Sequence, residues 1–541
     1  MNKTTLPIFI LLLAIAQAAT AGAVYVGPGP VNGKWESGDS VIVRAGSYVE
    51  AGGMLEVEQG VQIFFESVGR FEVSGVLAMS GSREEPIVVY CAEGWRGFRL
   101  RGAPAWHTLN FVHIVADRGL ARRGVEVDGS SLEMNSCKII ASENCLRFDG
   151  SQLHARMNHM HTSRLYSKVV ELLGMEGFAS EDCGAGPGNI FRDNYLQAEI
   201  NGVQPGDLID PYEATAGLWV DYCTNICLSF NDITVRAPLS VVGVRLGNVP
   251  SFGDQSWDIT HSTVYAESRT LSAIGILNEV SGDLDISKLT ITVRGTEGFA
   301  SSCFFASRTS YIRINSTTTV MGSPRDIYYN TSGAGRIDAN YTIKWSLDAE
   351  TLDESSRPGG ADGTWVEGDE QPRMINIGDS VWDVDPIFAA VGEWGEWRNA
   401  EEIAAFFSLR SNSPCIDRGD PERGLDPDAT RLDIGRFFYD QATSGVDEPA
   451  PIVSASALGA AYPNPFNPST TLPIQVANPG LLRVTVWDVL GRVVYETARP
   501  VYQAGLQNVH FQASNLASGL YLAQAEMDGQ MLGHQKLMLV K

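Results

Sequence analysis

Beyond its first two dozen residues the chain has no apolar run long enough to cross a bilayer, and no span is expected in the mature protein. Basic residues are also scarce. Lys and Arg number 40 against 64 Asp and Glu, a formal charge of -24. Such a chain repels phosphate backbones, so nucleic acid is not an expected partner, and an acidic solvated surface or a cation site is the better expectation. Cysteine is sparse, with 8 in 541 residues. Stability therefore cannot rest on a dense disulfide frame. Cys223 and Cys227 lack the C-x-x-C spacing of a zinc site and no second pair follows, which leaves Cys91, Cys137, Cys145, Cys183, Cys223, Cys227, Cys303 and Cys415 to be read as core thiols. Long helical periodicity is missing between Val41 and Val320.

What is present begins with MNKTTLPIFILLLAIAQAATAGAVY. One Lys, an apolar run from Leu6 to Ala16 and small residues at Ala19, Ala21 and Ala23 predict a secretory signal peptide over residues 1–23, cleaved after Ala21 or Ala23. The run is shorter than the roughly 20 apolar residues that a membrane anchor needs. Export follows.

From Val41 onward, short alternating runs rich in β-formers are broken by Gly, Asn, Asp and Ser; MLEVEQGVQIFFE, RFEVSGVLAM and PIVVY are examples. Three runs that open on Leu, namely LNFVHIV (109–115), LEMNSCKII (132–140) and LHARMNHMH (153–161), recur along the chain. ICLSFNDITV (226–235), WDITHSTVY (257–265), LDISKLTIT (284–292) and IRINSTTTV (312–320) do the same. The interval of roughly 20–30 residues is too short for a propeller blade and too unequal for a strict leucine-rich repeat. Coils of two or three strands, stacked so that backbone groups pair along the axis, satisfy it: a parallel β-helix of about twelve coils. Asn135, Asn194, Asn231 and Asn315 fall at expected turns, where Asn tolerates left-handed backbone and bonds through its side chain. Gly- and Asp-rich residues 348–385 break the pattern. Residues 386–439 are expected to cap the open end.

AYPNPFNPSTTLP (461–473) is punctuation, because its prolines forbid helix and central strand alike. The strands LPIQV, LRVTVWDV, RVVYE, NVHFQA, GLYLAQAEM and HQKLMLV follow it, as in a small antiparallel sandwich. The boundaries expected are a passenger at 24–440, a Pro/Ala/Ser linker at 441–460 and a C-terminal domain at 461–541.

SGDSVIVRAGSYVEAGGMLEVEQGVQIFFE, together with GWRGFRLRG and the closing SNSPCIDRGDPERGLDPDATRLDIGRFFYD, resembles secreted bacterial right-handed parallel β-helix proteins of the pectate-lyase-like superfamily. The C-terminal stretch resembles the immunoglobulin-like sorting domain of type IX secretion cargo, whose opening turn is matched by Tyr462, Pro463, Asn464, Pro465, Phe466, Asn467 and Pro468. These resemblances imply an all-β chain, a right-handed solenoid followed by an immunoglobulin-like sandwich, delivered to the outer cell surface or the medium by the type IX machinery.

Catalysis is not assigned. Hydrolases of that superfamily carry N-T-D, D-D, G-H-G and R-I-K signatures, and lyases an R-x-P-x-x-R pattern; all are absent. Trp257-Asp258-Ile259-Thr260-His261 is only loosely similar to another lyase strand, and alternation turns Asp258 and Thr260 to one side. His154, His159 and His161 could cluster round a metal, but carboxylates nearby are sparse and no third ligand is forced, so they read as solvated or stacked rings. Asp426, Asp428 and Asp433 were weighed as a calcium turn, the one ion considered, and read as a hydrogen-bonded cap. Arg418-Gly419-Asp420 is read as chance. A structural or glycan-binding surface protein is the expected function; a polysaccharide lyase or glycoside hydrolase acting on acidic polysaccharide is the alternative.

Overall fold

The computed structural model describes residues 23–441 and 457–540, except 67, 92–93, 104, 116–121, 176–188, 201–212, 224–226, 248–255, 280–281, 296–300, 308–309, 322–326, 332–334, 347–363, 367–374, 378–379, 391–396, 460, 462–463, 465, 477–479, 490, 502–504, 514–515 and 528–529. The expected cleavage position at Ala21 lies outside these residues. Two compact units emerge, Met1–Asp440 and Gln441–Lys541.

Each coil of the first unit contributes three short strands, and each strand pairs in parallel with its counterpart one coil away. Sheet I begins with Val24–Val26, sheet II with Gly29–Pro30 and sheet III with Gly33–Trp35. Sheet II alone stacks 13 strands, ending at Thr364–Val366. Strand alternation then fills the interior. Ile114, Ile139, Met160, Leu196, Ile233 and Val264 are successive register partners in sheet I, and none is more than 2% exposed. Burying each such side chain contributes about 1.5–3 kcal/mol. The unit is a parallel β-helix with a packed core, and the described thiols of Cys91, Cys137, Cys145, Cys223, Cys303 and Cys415 are buried and unbridged.

Unequal coils are accommodated as loops. Ile139 pairs with Met160, yet Met160 pairs with the distant Leu196. The four C-terminal repeats align residue for residue, with Leu228 on Ile259, Trp257 on Leu284 and Leu284 on Ile312. The Leu-first alignment of the earlier repeats holds for Leu132 and Leu153 but not for Leu109, which pairs with Met134. Within 348–385, Thr364–Val366, Ile375–Ile377 and Val381–Asp383 continue all three stacks, so the pattern persists where composition breaks it.

The corner between sheets III and I is built differently from expectation. None of Asn135, Asn194, Asn231 and Asn315 is left-handed. That conformation belongs to the residue beside each of them: Ser136, Asp193, Phe230 and Ser316. Asn158, Asn194 and Asn231 are instead buried in a ladder. Asn158 Nδ2 donates to Asn194 Oδ1 at 2.9 Å and Asn194 Nδ2 to Asn231 Oδ1 at 3.1 Å. Each also donates to a carbonyl one coil back, at Met134, Ala155 and Phe191. The amide supplies donor and acceptor at once, which lets it satisfy the backbone groups that the corner strips from the sheets.

The described residues of 386–440 form a strap along the outer face of sheet I. The Trp397 carbonyl accepts from Tyr195 Oη at 2.8 Å, Arg436 Nη2 lies 3.2 Å from Asp232 Oδ2, and Gly435 N donates to Ser316 O at 2.8 Å. A helix, Ala400–Phe407, capped by Asn399, presents Ile403, Phe406 and Phe407 to Tyr195, Tyr265 and Trp397, forming a second small core. At Gly435 a Cβ would sit 2.8 Å from Thr318 Oγ1, so only glycine allows this approach.

The second unit pairs Ala457–Leu458, Ser469–Val476 and Gly505–Gln512 in one antiparallel sheet. Val493–Val501, Gly480–Asp488, Gly519–Met527 and Gln530–Leu539 form the other. Leu472, Ile474 and Phe511 from the first and Val484, Val486 and Ala523 from the second share a core. This is a sandwich.

Asn194→Ala is expected to lower the stability of the β-helix by about 2–4 kcal/mol, because it leaves the Asn158 N–H and the Ala155 carbonyl buried without partners. Urea unfolding followed by circular dichroism measures this. A loss no larger than that from removing a solvated surface Asn would contradict the ladder's role.

Candidate functional site

Alternation in Ser256–Thr260 packs Trp257 and Ile259 into the core and turns Asp258, half-buried, and Thr260, covered, to the other side of sheet III. Rung stacking extends this into a column of Asp258, Asp285, Arg313 and Asp338. Beside it stand Asp283, Tyr311 and Arg336. Arg313 grips Asp285 with two prongs, Nε to Oδ1 at 2.7 Å and Nη2 to Oδ2 at 3.0 Å, and reaches Asp283 at 2.8 Å. Arg336 holds Asp338 at 2.8 Å, Tyr311 donates to the same carboxylate, and both guanidiniums lie over the Tyr311 ring, at 5.1 and 4.7 Å from its centre.

Burial, and secondly the neighbouring Asp285, raise the Asp258 carboxyl above its ordinary range, while Arg423 and Arg313 oppose this. The face therefore offers a carboxyl that protonates easily beside one held by a two-pronged guanidinium, with an aromatic ring two coils on. Such a surface can hydrogen-bond the hydroxyls of a chain laid along the axis and stack against its apolar patches. Asp285 and Arg313 were not singled out from sequence, although a signal existed: each is the second letter of a repeat, LDIS and IRIN, as Asp258 is of WDIT.

The histidines do not converge. His154 lies on sheet III, its ring 4.6 Å from Trp106, whereas His159 and His161 lie on sheet I beyond a turn at Met157. Burial lowers the His159 pKa to about 4, and His161 is lowered for the same reason, so both are neutral near pH 7.

The acidic turn is consumed by the strap. Asp426 accepts from Lys288 Nζ at 2.7 Å and from Asp433 N at 2.6 Å, and Asp428 accepts from the Thr430 backbone and hydroxyl. Asp433 accepts from the backbone N–H groups of Asp417 and Tyr439, each at 2.7 Å. In the tripeptide 418–420, Asp420 accepts from Asn315 at 2.7 Å and Arg418 lies over Trp382, so this sequence anchors the strap. Among the described residues no group of three or more His, Cys, Asp and Glu side chains is placed to hold a metal ion. Nor is any helix there long and apolar enough to cross a membrane.

Of the seven-residue turn, Tyr462, Pro463 and Pro465 lie outside the described residues. Asn464 and Phe466 tie the start of the sandwich to its last strand. Asn464 Nδ2 donates to Lys536 O at 2.7 Å and its Oδ1 accepts from Met538 N at 2.9 Å. Phe466 exchanges backbone bonds with Met538 and Val540, and its buried ring packs 5.8 Å from Phe511. Asn467 is exposed and Pro468 half-buried.

Residues 460–540 match the family model described as the secretion system C-terminal sorting domain. No curated protein matches the chain.

Burial raises the Asp433 pKa from an ordinary 3.8 to about 6, outweighing its two backbone donors. Between those pH values the folded state holds the extra proton, so this group's stabilisation is complete below pH ~4 and is lost as pH rises through about 6. The unfolding midpoint is expected to fall less between pH 4.5 and 6.5 in Asp433→Asn than in the wild type. Parallel pH profiles would argue against a buried acid here.

Proposed function

From the type IX sorting domain, which marks the chain for export to the cell surface or the medium, we propose that the β-helix is a surface passenger that holds a glycan along its outer faces. The observation that carries this reading is the half-buried column on the outer side of sheet III. Carboxylates, guanidiniums and an aromatic ring repeat there at the rung spacing of about 4.8 Å, a pattern suited to a long chain lying along the axis. We further propose that the sandwich acts as the export address recognised by the type IX machinery, with the turn at 462–468 as part of the recognised surface. In support, Asn464 and Phe466 join the two ends of the domain, so the turn reports that the sandwich has folded.

The raised carboxyl of Asp258 beside Asp285 favours a second reading, hydrolysis of a glycosidic bond by this pair of carboxyl groups. Against it, Arg313 engages both oxygens of Asp285 and draws on the charge that a nucleophile would use.

Two experiments test these readings. A chain lacking residues 441–541 is expected to fold, since its core is its own, and to stall in the periplasm of a host with the type IX apparatus; its normal display at the surface would refute the address. The mature chain is expected to bind polysaccharide in affinity electrophoresis, with binding weakened several-fold by Tyr311→Ala plus Arg313→Ala, and to release no new reducing or unsaturated ends. Appearance of such ends, abolished by Asp258→Asn, would establish the enzyme instead.

A further inference from the structure

On sheet II a different column faces outward. Glu72, Arg99, Glu126, Arg147, Glu171, Trp219 and Arg245 are register partners on successive coils, alternating in sign until the ring interrupts them. At the N-terminal end the alternation fails in one direction. Glu126, only 4% exposed, is shared by Arg70 at 3.2 Å, Arg99 at 3.9 Å, Arg123 at 3.1 Å and Arg147 at 3.5 Å. Glu143 is shared by Arg122 at 3.9 Å, Arg123 at 3.7 Å and Arg164 at 3.5 Å. Among the described residues these guanidiniums outnumber the carboxylates near them even when Asp128, which takes Arg99 at 2.7 Å, and Glu171, which takes Arg147 at 3.2 Å, are counted. In a chain of net charge -24, so local a surplus opposes the global field.

The surplus opens onto a cleft of about 710 Å³ lined by Val68, Gly69, Arg70, Glu72, Gly94, Arg96 and Arg122. Three arginines face one carboxylate, and that carboxylate is engaged by Arg101 at 3.8 Å. Backbone stacking places the arginines on consecutive rungs: Arg96 N donates to Gly69 O and Arg122 N to Trp95 O. Arg96 is exposed and makes no ion pair among the described residues. Arg70 Nε is buried without a hydrogen-bond partner. Val68, 62% exposed, is the one apolar side chain in the lining, and Gly69 and Gly94, without side chains, leave the backbone open between the charges.

We propose that this cleft binds a stretch of acidic polysaccharide, its carboxylate or sulfate groups taken by Arg70, Arg96 and Arg122 and a sugar face resting on Val68. The chemistry is that of the guanidinium fork, which matches both kinds of oxyanion in two-pronged geometry. The occupant follows from charge and from compartment. A polyanion is required, and an exported passenger meets polyanionic glycans rather than nucleic acid. The inference rests on the glycan-holding reading above but names a separate face and a charged class of ligand.

Titration calorimetry of the mature full-length chain with dextran sulfate, polygalacturonate, neutral dextran and single-stranded DNA tests it, at about 50 mM and then 200 mM salt. Both acidic polysaccharides, or one of them, are expected to bind more tightly than neutral dextran, with affinity falling as salt rises; which binds better distinguishes sulfate from carboxylate. Arg96→Ser should cost at least threefold without altering the thermal midpoint, since Arg96 makes no ion pair among the described residues. Arg70→Ser, Arg96→Ser and Arg122→Ser together should cost tenfold or more. Unchanged binding in the triple variant, with loss in Tyr311→Ala plus Arg313→Ala, would overturn the cleft and leave the glycan-holding reading standing. Equal affinity for neutral dextran would overturn the charge argument, equal affinity for DNA would reduce the cleft to an unselective patch, and no binding to any polysaccharide would sink both readings.

Discussion

Parallel pairing of each coil with the next is the constraint on which everything else depends. Once Leu196 must sit on Met160 and Ile233 on Leu196, every other residue of those coils is placed as well: inward, outward or at a corner. A residue's neighbours are then set by its phase within the coil and not by its distance along the chain. Loops of any length can leave the stack between strands, because the pairing that resumes afterwards is the same. This is why the solenoid tolerates coils as unequal as those on either side of Met160.

The same rule makes the three outer faces independent of one another. Sheet I has threonines and a tyrosine outward, among them Thr290, Thr318 and Tyr265, all buried because the strap covers them. Polar hydroxyls there serve the strap's backbone: Arg436 N donates to Thr290 Oγ1, and Thr318 Oγ1 donates to the Ile434 carbonyl. Buried charges on the strap are paired in turn, Lys288 with Asp426 and Arg436 with Asp232, since an unpaired ion there would cost several kcal/mol. Sheets II and III carry charged columns on their outer sides, half-buried for the most part. One architecture thus supplies a covered face, an alternating ionic face and a face of carboxylates and guanidiniums.

Much of this was legible in the sequence wherever the period was regular. The alternation in WDITHSTVY, LDISKLTIT and IRINSTTTV gave strand, register and the outward position of Asp258. The prolines of AYPNPFNP read as the boundary before the sandwich, yet Ala457–Leu458 ahead of them already pairs with Ser469–Val476. What failed did so for physical reasons. Leu109 looked equivalent to Leu132, but equivalence is decided by backbone pairing, which puts Leu109 on Met134, another residue that fills the same interior volume. Asn was read as the left-handed residue because it tolerates that backbone, yet Asp193 and Phe230 adopt it, and the amides of Asn194 and Asn231 are used inside, where only they supply donor and acceptor together. The strap gave no periodic signal at all, because its contacts are with residues up to about 200 positions earlier, such as Tyr195 with Trp397.

Net charge was the most misleading summary, and the reason is geometric. A figure of -24 describes the far field of the whole chain, but a solenoid spreads its charges along a rod whose ends lie beyond a Debye length of about 8 Å from one another. Each face and each end therefore presents its own potential. Arg70, Arg96 and Arg122 are separated in the chain by 26 residues at each step, too far for any charge window to group them, and they meet only because each sits at the same phase of its coil. Acidity elsewhere on the rod does not cancel them; it repels a polyanion from the other faces and so favours its approach to a cleft where guanidiniums outnumber carboxylates.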